Sequence, residues 1–176
     1  QETLFTYDKI DRIVTKDYPL GGTTTIYVHE YDKAGNVTVL TDPNGNEVTS
    51  AYDAGNRVIS KDITRASGVL GVTKEIFTYD DMSRIVTARN ESPGGSWYSE
   101  VILTYNSLSL IEDETQRIKT VSKTVSYEYD DQGRRTTMTH PDGSTEVTYD
   151  YDALNRANKI SRDSTQVVHY YYAGPF

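Results

Sequence analysis

Large apolar or aromatic side chains recur along this chain two positions before a tyrosine. Phe5 precedes Tyr7, Phe77 precedes Tyr79, Leu103 precedes Tyr105, Tyr127 precedes Tyr129, Tyr149 precedes Tyr151 and Tyr170 precedes Tyr172; His29 and Ser50 hold the same place before Tyr31 and Tyr52. A spacing of two puts both side chains on one face of a β-strand, and a polar residue, often Thr, separates them as a strand pattern requires. After each tyrosine the pattern breaks into a short polar stretch with Gly or Asn, as in Lys33-Ala34-Gly35 and Ala54-Gly55-Asn56. It resumes with a β-branched residue at Ile13, Val37, Val58, Ile85 and Ile111. The prediction is a strand ending at the tyrosine, a turn of about four residues, and a second strand returning antiparallel to the first.

The tyrosines step along the chain by 24, 21, 27, 26, 24, 22 and 21 residues. A period of that size marks one supersecondary unit repeated in a stack. Residues 1–176 are therefore expected to form a single array of seven to eight units, starting near Tyr7, Tyr31, Tyr52, Tyr79, Tyr105, Tyr129, Tyr151 and Tyr172. Second turns between the units are signalled by Asp42-Pro43-Asn44-Gly45-Asn46, Pro141-Asp142-Gly143-Ser144, Gly21-Gly22 and Ser92-Pro93-Gly94-Gly95. A lone two-stranded hairpin is at best marginal in water, so each unit is expected to depend on its neighbours. The unit from Tyr105 to Arg117 departs most from the pattern. Asn106 and Leu110 replace its Asp and Arg, and Glu112-Asp113-Glu114 interrupts the strand signal. Irregular structure is expected there.

Asp8, Asp32, Asp53, Asp80, Asp130 and Asp152 follow the tyrosines, and Arg12, Asn36, Arg57, Arg84, Arg134 and Arg156 stand five positions after them. An Asp opening a turn accepts hydrogen bonds from the N–H groups just ahead. The Asp and Arg flank the turn closely enough to pair across it. A residue copied into every unit serves the unit, so these positions read as a structural brace and no catalytic residue is assigned.

Leu, Ile, Val and Phe supply 37 of 176 residues, little for a globular chain, while fifteen tyrosines compensate. A folded chain with a thin, tyrosine-heavy core is expected. The net charge of −8, without any Lys/Arg block, argues against a nucleic-acid partner. The absence of cysteine excludes disulfides and thiol chemistry. No stretch has the apolar length of a membrane-spanning helix. His29, His140 and His169 show no metal-binding spacing, and neither metal nor cofactor is expected. The adjacent acidic pairs Asp80-Asp81 and Asp130-Asp131 lack the geometry of paired catalytic carboxylates. Trp97 and Tyr98, beside a Gly-rich turn, are the candidate contacts for a glycan.

The run Tyr52-Asp53-Ala54-Gly55-Asn56-Arg57-Val58 resembles the YD repeat, also called the Rhs repeat, at every position. Such repeats occur in bacterial Rhs polymorphic toxins, in the B and C components of insecticidal toxin complexes, in wall-associated contact-dependent toxins and in the animal teneurins. The resemblance implies an all-β fold of antiparallel hairpins stacked into a curved or spiralling sheet, one segment of a β-shell. It implies a structural, non-enzymatic role in a secreted or surface bacterial protein, with the remaining repeats and an enclosed cargo domain as partners. The alternative is an extracellular module that recognises carbohydrate or protein. The family's self-cleaving core motif has no match, since Asp42-Pro43-Asn44-Gly45 reads as a hairpin turn. The chain is expected to be a piece of a longer array, whose open edge strands would pair with another copy when isolated.

Overall fold

The computed structural model describes residues 2–18, 26–95 and 98–172. They form two compact units, residues 1–99 and 100–176, and both are antiparallel β-structure. The first holds β1 (Leu4–Tyr7), β2 (Ile13–Asp17), β3 (Ile26–Tyr31), β4 (Val37–Thr41), β5 (Glu47–Tyr52), β6 (Val58–Thr64), β7 (Lys74–Tyr79) and β8 (Ile85–Glu91), then a short 3-10 turn at Pro93–Gly95. β9 (Tyr98–Tyr105) starts at the end of the first and runs on into the second, which then holds β10 (Ile111–Ile118), β11 (Val121–Tyr129), β12 (Arg135–Thr139), β13 (Glu146–Tyr151), β14 (Ala157–Arg162) and β15 (Thr165–His169). Within each unit the strands lie side by side in sequence order, without a crossover. Predicted strands end at Tyr7, Tyr31, Tyr52, Tyr79, Tyr105, Tyr129 and Tyr151, and the β-branched returns at Ile13, Val37, Val58, Ile85 and Ile111 are in place, whereas β15 stops at His169, short of Tyr172. The turn at Gly21-Gly22 lies outside the described residues.

Cross-strand pairing sorts the side chains into two faces. Tyr31, His29, Leu40, Val48 and Ile63 share one face through the pairs His29↔Leu40, Leu40↔Val48 and Val48↔Ile63. In the second unit Tyr127↔Met138, Met138↔Val147 and Tyr149↔Ile160 continue the same chemistry. The opposite face is polar and rich in threonine. Thr6–Thr15 and Thr78–Thr87 hydroxyls meet at 2.6 Å, and Thr115–Thr124 at 2.8 Å, each pair joining adjacent strands.

The expected thin core is not found. Among the described residues no apolar side chain is fully buried, and only Ser92 and Ser161 are. Strands paired only edge to edge, with no second layer described on either face, leave even the aromatic face half open to solvent. Cohesion must therefore come from backbone ladders, cross-strand pairs and the turns.

The unit from Tyr105 is regular, contrary to expectation. Asn106 Oδ1 accepts from the N–H groups of Leu108 and Leu110 at 2.9 and 3.0 Å, the bonds an Asp would make. β10 runs unbroken through Glu112-Asp113-Glu114 because alternation sets Asp113 on the opposite face from Glu112 and Glu114. Asp113 falls on the threonine face, where it accepts from Ser126 Oγ at 2.6 Å and Thr104 Oγ1 at 3.2 Å.

Each Tyr-Asp turn closes in the same way. The Asp8 N–H donates to Arg12 O at 2.9 Å and the Asp11 N–H to Asp8 O at 3.2 Å, and the later turns repeat both bonds. The residue before the Arg position takes a left-handed conformation in every copy: Asp11, Gly35, Asn56, Ser83, Ser109, Gly133 and Asn155. Such a φ is costly for side chains other than Gly, Asn and Asp. Asp11 is exposed and sits at φ 61° where Gly35 and Gly133 stand in other units. Asp11→Gly is expected to leave stability within about 0.5 kcal/mol of the wild type in chemical denaturation, since Asp tolerates this φ and glycine adds freedom to the unfolded chain.

The repeated tyrosine–aspartate clasp as candidate functional site

The turn residues build one arrangement that recurs along the rim of the sheet. In the third hairpin, Asp53 Oδ1 accepts from the N–H groups of Gly55 at 2.8 Å and Arg57 at 2.9 Å, while Oδ2 accepts from Arg57 Nε at 2.6 Å. Asp8, Asp80, Asp130 and Asp152 bond in the same way with Arg12, Arg84, Arg134 and Arg156. Asp32 uses Asn36, whose Nδ2 donates at 2.9 Å. The backbone N–H of Arg57, followed by its side chain, holds the Asp53 carboxyl below the usual carboxylate range. Asp8, Asp80, Asp130 and Asp152 are lowered mainly by the same backbone bond, and Asp32 by the Asn36 side chain. Asp and Arg side chains thus meet across the turns at Asp8, Asp53, Asp80, Asp130 and Asp152.

The clasp also reaches beyond its own hairpin. The hairpins that turn at Tyr7, Tyr31, Tyr52, Tyr79, Tyr129 and Tyr151 all shift register beside the tyrosine: Tyr52 faces Val58 while Ala51 faces Ser60, leaving Ile59 as an extra residue. This is a β-bulge, which interrupts the ladder locally and increases twist. The carbonyl at the bulge then accepts the phenol of the next unit. Tyr79 donates to Val58 O at 2.8 Å, Tyr52 to Val37 O at 2.7 Å and Tyr31 to Ile13 O at 2.6 Å. Tyr129, Tyr151 and Tyr172 donate likewise to Ile111, Arg135 and Ala157.

The arginines follow the same direction. Arg57 lies 4.7 Å over the Tyr79 ring, Arg12 4.4 Å over Tyr31, Arg134 4.6 Å over Tyr151 and Arg156 4.0 Å over Tyr172. Arg12 Nη1 also donates to Asp32 O at 3.1 Å, Arg57 Nη1 to Ser83 Oγ at 3.0 Å and Arg134 Nη1 to Asn155 Oδ1 at 2.6 Å. Asn36 hands its amide to Asn56 Oδ1 at 2.9 Å. The units with Asp and Arg grip themselves through that pair, and the phenol of the following tyrosine ties one hairpin to the next. Sequence reasoning missed this second grip. The constant five-residue offset from tyrosine to arginine carried it, but the phenol's partner is a backbone carbonyl with no residue signature.

The second rim reuses the chemistry without the tyrosine. Asp42 accepts from Asn44 N, Asn46 N and Asn46 Nδ2, closing its predicted turn with the same bonds. Asp142, held far below its ordinary range by Thr145 and Ser144, closes another.

The other candidate groups stand apart. His29 stacks on Tyr31 at 6.4 Å, His169 on Tyr171 at 4.3 Å, and His140 contributes backbone to a turn. Among the described residues no three His, Asp or Glu side chains gather where a metal could be held. Trp97 lies outside the described residues. Tyr98 carries the Arg89 guanidinium 4.2 Å over its ring, which occupies one stacking face. Among the described residues no helix is long and apolar enough to cross a membrane.

The model of the family described as RHS Repeat matches residues 31–70 and 113–145. No curated protein matches the chain in sequence. In structure the chain is similar to TcdB2–TccC3 without its hypervariable C-terminal region, with a TM-score of 0.65 at 15% identity over 88% of this chain. It is similar to the TcdB2–TccC3–Cdc42 structure as well, with a TM-score of 0.63 at 16% identity over 88% of this chain. The chain spans 9% of the length of each of these proteins. At that identity the likeness speaks for the fold. The two matched segments both hold Tyr-Asp turns of the clasp, so the match to the RHS repeat falls on the hairpins that carry this geometry.

Proposed function

We propose that this chain is a structural, non-enzymatic stretch of the wall of an RHS-type β-shell, in a secreted or surface protein whose further repeats enclose a cargo domain. The observation that carries this reading is a clasp copied from hairpin to hairpin in sheet whose described residues bury no apolar side chain fully. An array built so gains cohesion by adding neighbours, and each bulge adds twist that favours a curved sheet over a flat one. Its two-faced sheet suits a partition, with an aromatic side and a hydroxylated side.

Limited proteolysis of the full-length protein tests this. The enclosed domain is expected to resist protease in the wild type and to be cleaved about tenfold faster or more once Tyr79→Ala and Tyr151→Ala loosen the wall. Equal cleavage in both proteins would contradict an enclosing role. A glycan array probed with the same chain is expected to stay silent; a saturable signal would favour recognition instead.

A further inference from the structure

The connection from β6 to β7 differs in kind from the other turns. Residues 65–73, nine in all, separate Thr64 from Lys74, whereas the other connections described in full hold two to six residues each. Its ends are fastened. The Ile63 N–H donates to Thr73 O and the Thr73 N–H to Glu91 O, both at 2.8 Å, and the Ala66 N–H donates to Asn46 Oδ1 at 3.0 Å. A turn follows, closed by the Val69 N–H on Ala66 O at 3.2 Å. Beyond it Leu70, Gly71 and Val72 make no backbone hydrogen bond among the described residues.

Residues 67–71 are exposed without interruption, and Leu70, at 94%, is the most exposed large apolar side chain among the described residues. Burying a leucine stabilises a fold, and this fold leaves Leu70 wholly in solvent. Gly71 comes next, where a side chain would meet the Arg65 guanidinium at 3.3 Å. The bond after the exposed leucine is therefore carried by a residue with no side chain to obstruct it.

A protease draws several consecutive residues into its cleft in extended form, with one side chain entering its specificity pocket. A turn closed by its own Asp offers no such stretch without unfolding, and a paired strand has its backbone groups engaged. The β6–β7 connection offers one in the folded chain. We propose that it is a proteolytic processing site, cut at the Leu70–Gly71 bond by an endoprotease with an apolar specificity pocket. Water adds across that bond, its hydroxyl going to the Leu70 carbonyl carbon and its proton to the Gly71 nitrogen, which leaves a carboxylate and an ammonium group. The nick releases neither piece. β6 and β7 stay joined through Ser60↔Ile76, Lys61↔Glu75 and Asp62↔Lys74, with Lys61 Nζ 3.0 Å from Glu75 Oε2 and Lys74 Nζ 3.5 Å from Asp62 Oδ1.

Limited digestion of the chain with chymotrypsin tests this, because that protease prefers aromatic residues to leucine. The described tyrosines and phenylalanines stand in strands or, at Tyr18, Tyr170, Tyr171 and Tyr172, just past a strand end. Within residues 8–169 the first cut is nevertheless expected after Leu70, read from fragment masses. The two pieces are expected to elute together in native gel filtration and apart in urea. Leu70→Asp, at a side chain the fold does not use, is expected to slow this cut about tenfold or more at unchanged melting temperature. A first cut at any other bond within residues 8–169, an unchanged rate in Leu70→Asp, or pieces that separate without urea would overturn the proposal.

Discussion

Replacing Tyr79 with alanine is expected to destabilise the chain by about 2–3 kcal/mol, while phenylalanine at the same position costs about 1. The difference separates two contributions. The ring is half-buried on the aromatic face under the Arg57 guanidinium, 4.7 Å from its centroid. Alanine removes that burial and the cation–π contact together. Phenylalanine keeps the ring and deletes only the 2.8 Å bond to Val58 O, at a carbonyl beside the bulge. Tyr7 supplies the internal contrast. Its side chain is largely exposed, at 56%, so Tyr7→Ala is expected to cost well under half as much. Urea unfolding of the three variants beside the wild type checks the ranking. Equal losses at Tyr7 and Tyr79 would show that tyrosine matters for local strand propensity and not for gripping a neighbour.

Acid is expected to loosen all the Asp-containing turns together. Asp8, Asp32, Asp53, Asp80, Asp130 and Asp152 are each held below the ordinary carboxylate range by N–H donors of their own turn. In the unfolded chain these carboxyls take up protons near pH 4, while in the native turns they resist until the pH is lower. Their contribution is thus fully present above about pH 5 and drains away as pH falls through the native values. A melting temperature that is level between about pH 5 and 8 and falls steeply below about pH 4 is the expected profile. Because backbone donors contribute in every copy, moderate salt should shift this profile little, unlike that of an exposed ion pair. A decline beginning near neutrality would contradict the assignment.

The hairpins were legible in the sequence wherever the evidence is local. Tyr52-Asp53 through Arg57-Val58 states its own strand, turn and return, because alternation and turn chemistry act within a few residues. Asn106 was misread through attention to charge, when the turn needs an acceptor oxygen and Asn supplies one. The acidic run at Glu112-Asp113-Glu114 was misread for a related reason: along a strand, neighbours in sequence are on opposite faces, and Asp113 finds Ser126 and Thr104. The missing core was not legible, since composition cannot tell aromatic residues packed between two layers from the same residues lying on one. Nor was the phenol-to-carbonyl bond, which depends on a bulge that shifts register by one residue.

The proposed wall depends on coupling between one hairpin and the next through arginine and tyrosine. A double-mutant cycle on Arg57→Met and Tyr79→Leu measures that coupling directly, with stability read from urea unfolding. The structure predicts an interaction of about 0.5–1 kcal/mol, the two losses together being smaller than their sum. Losses that add to within about 0.3 kcal/mol would show the two residues to be independent and would contradict the clasp.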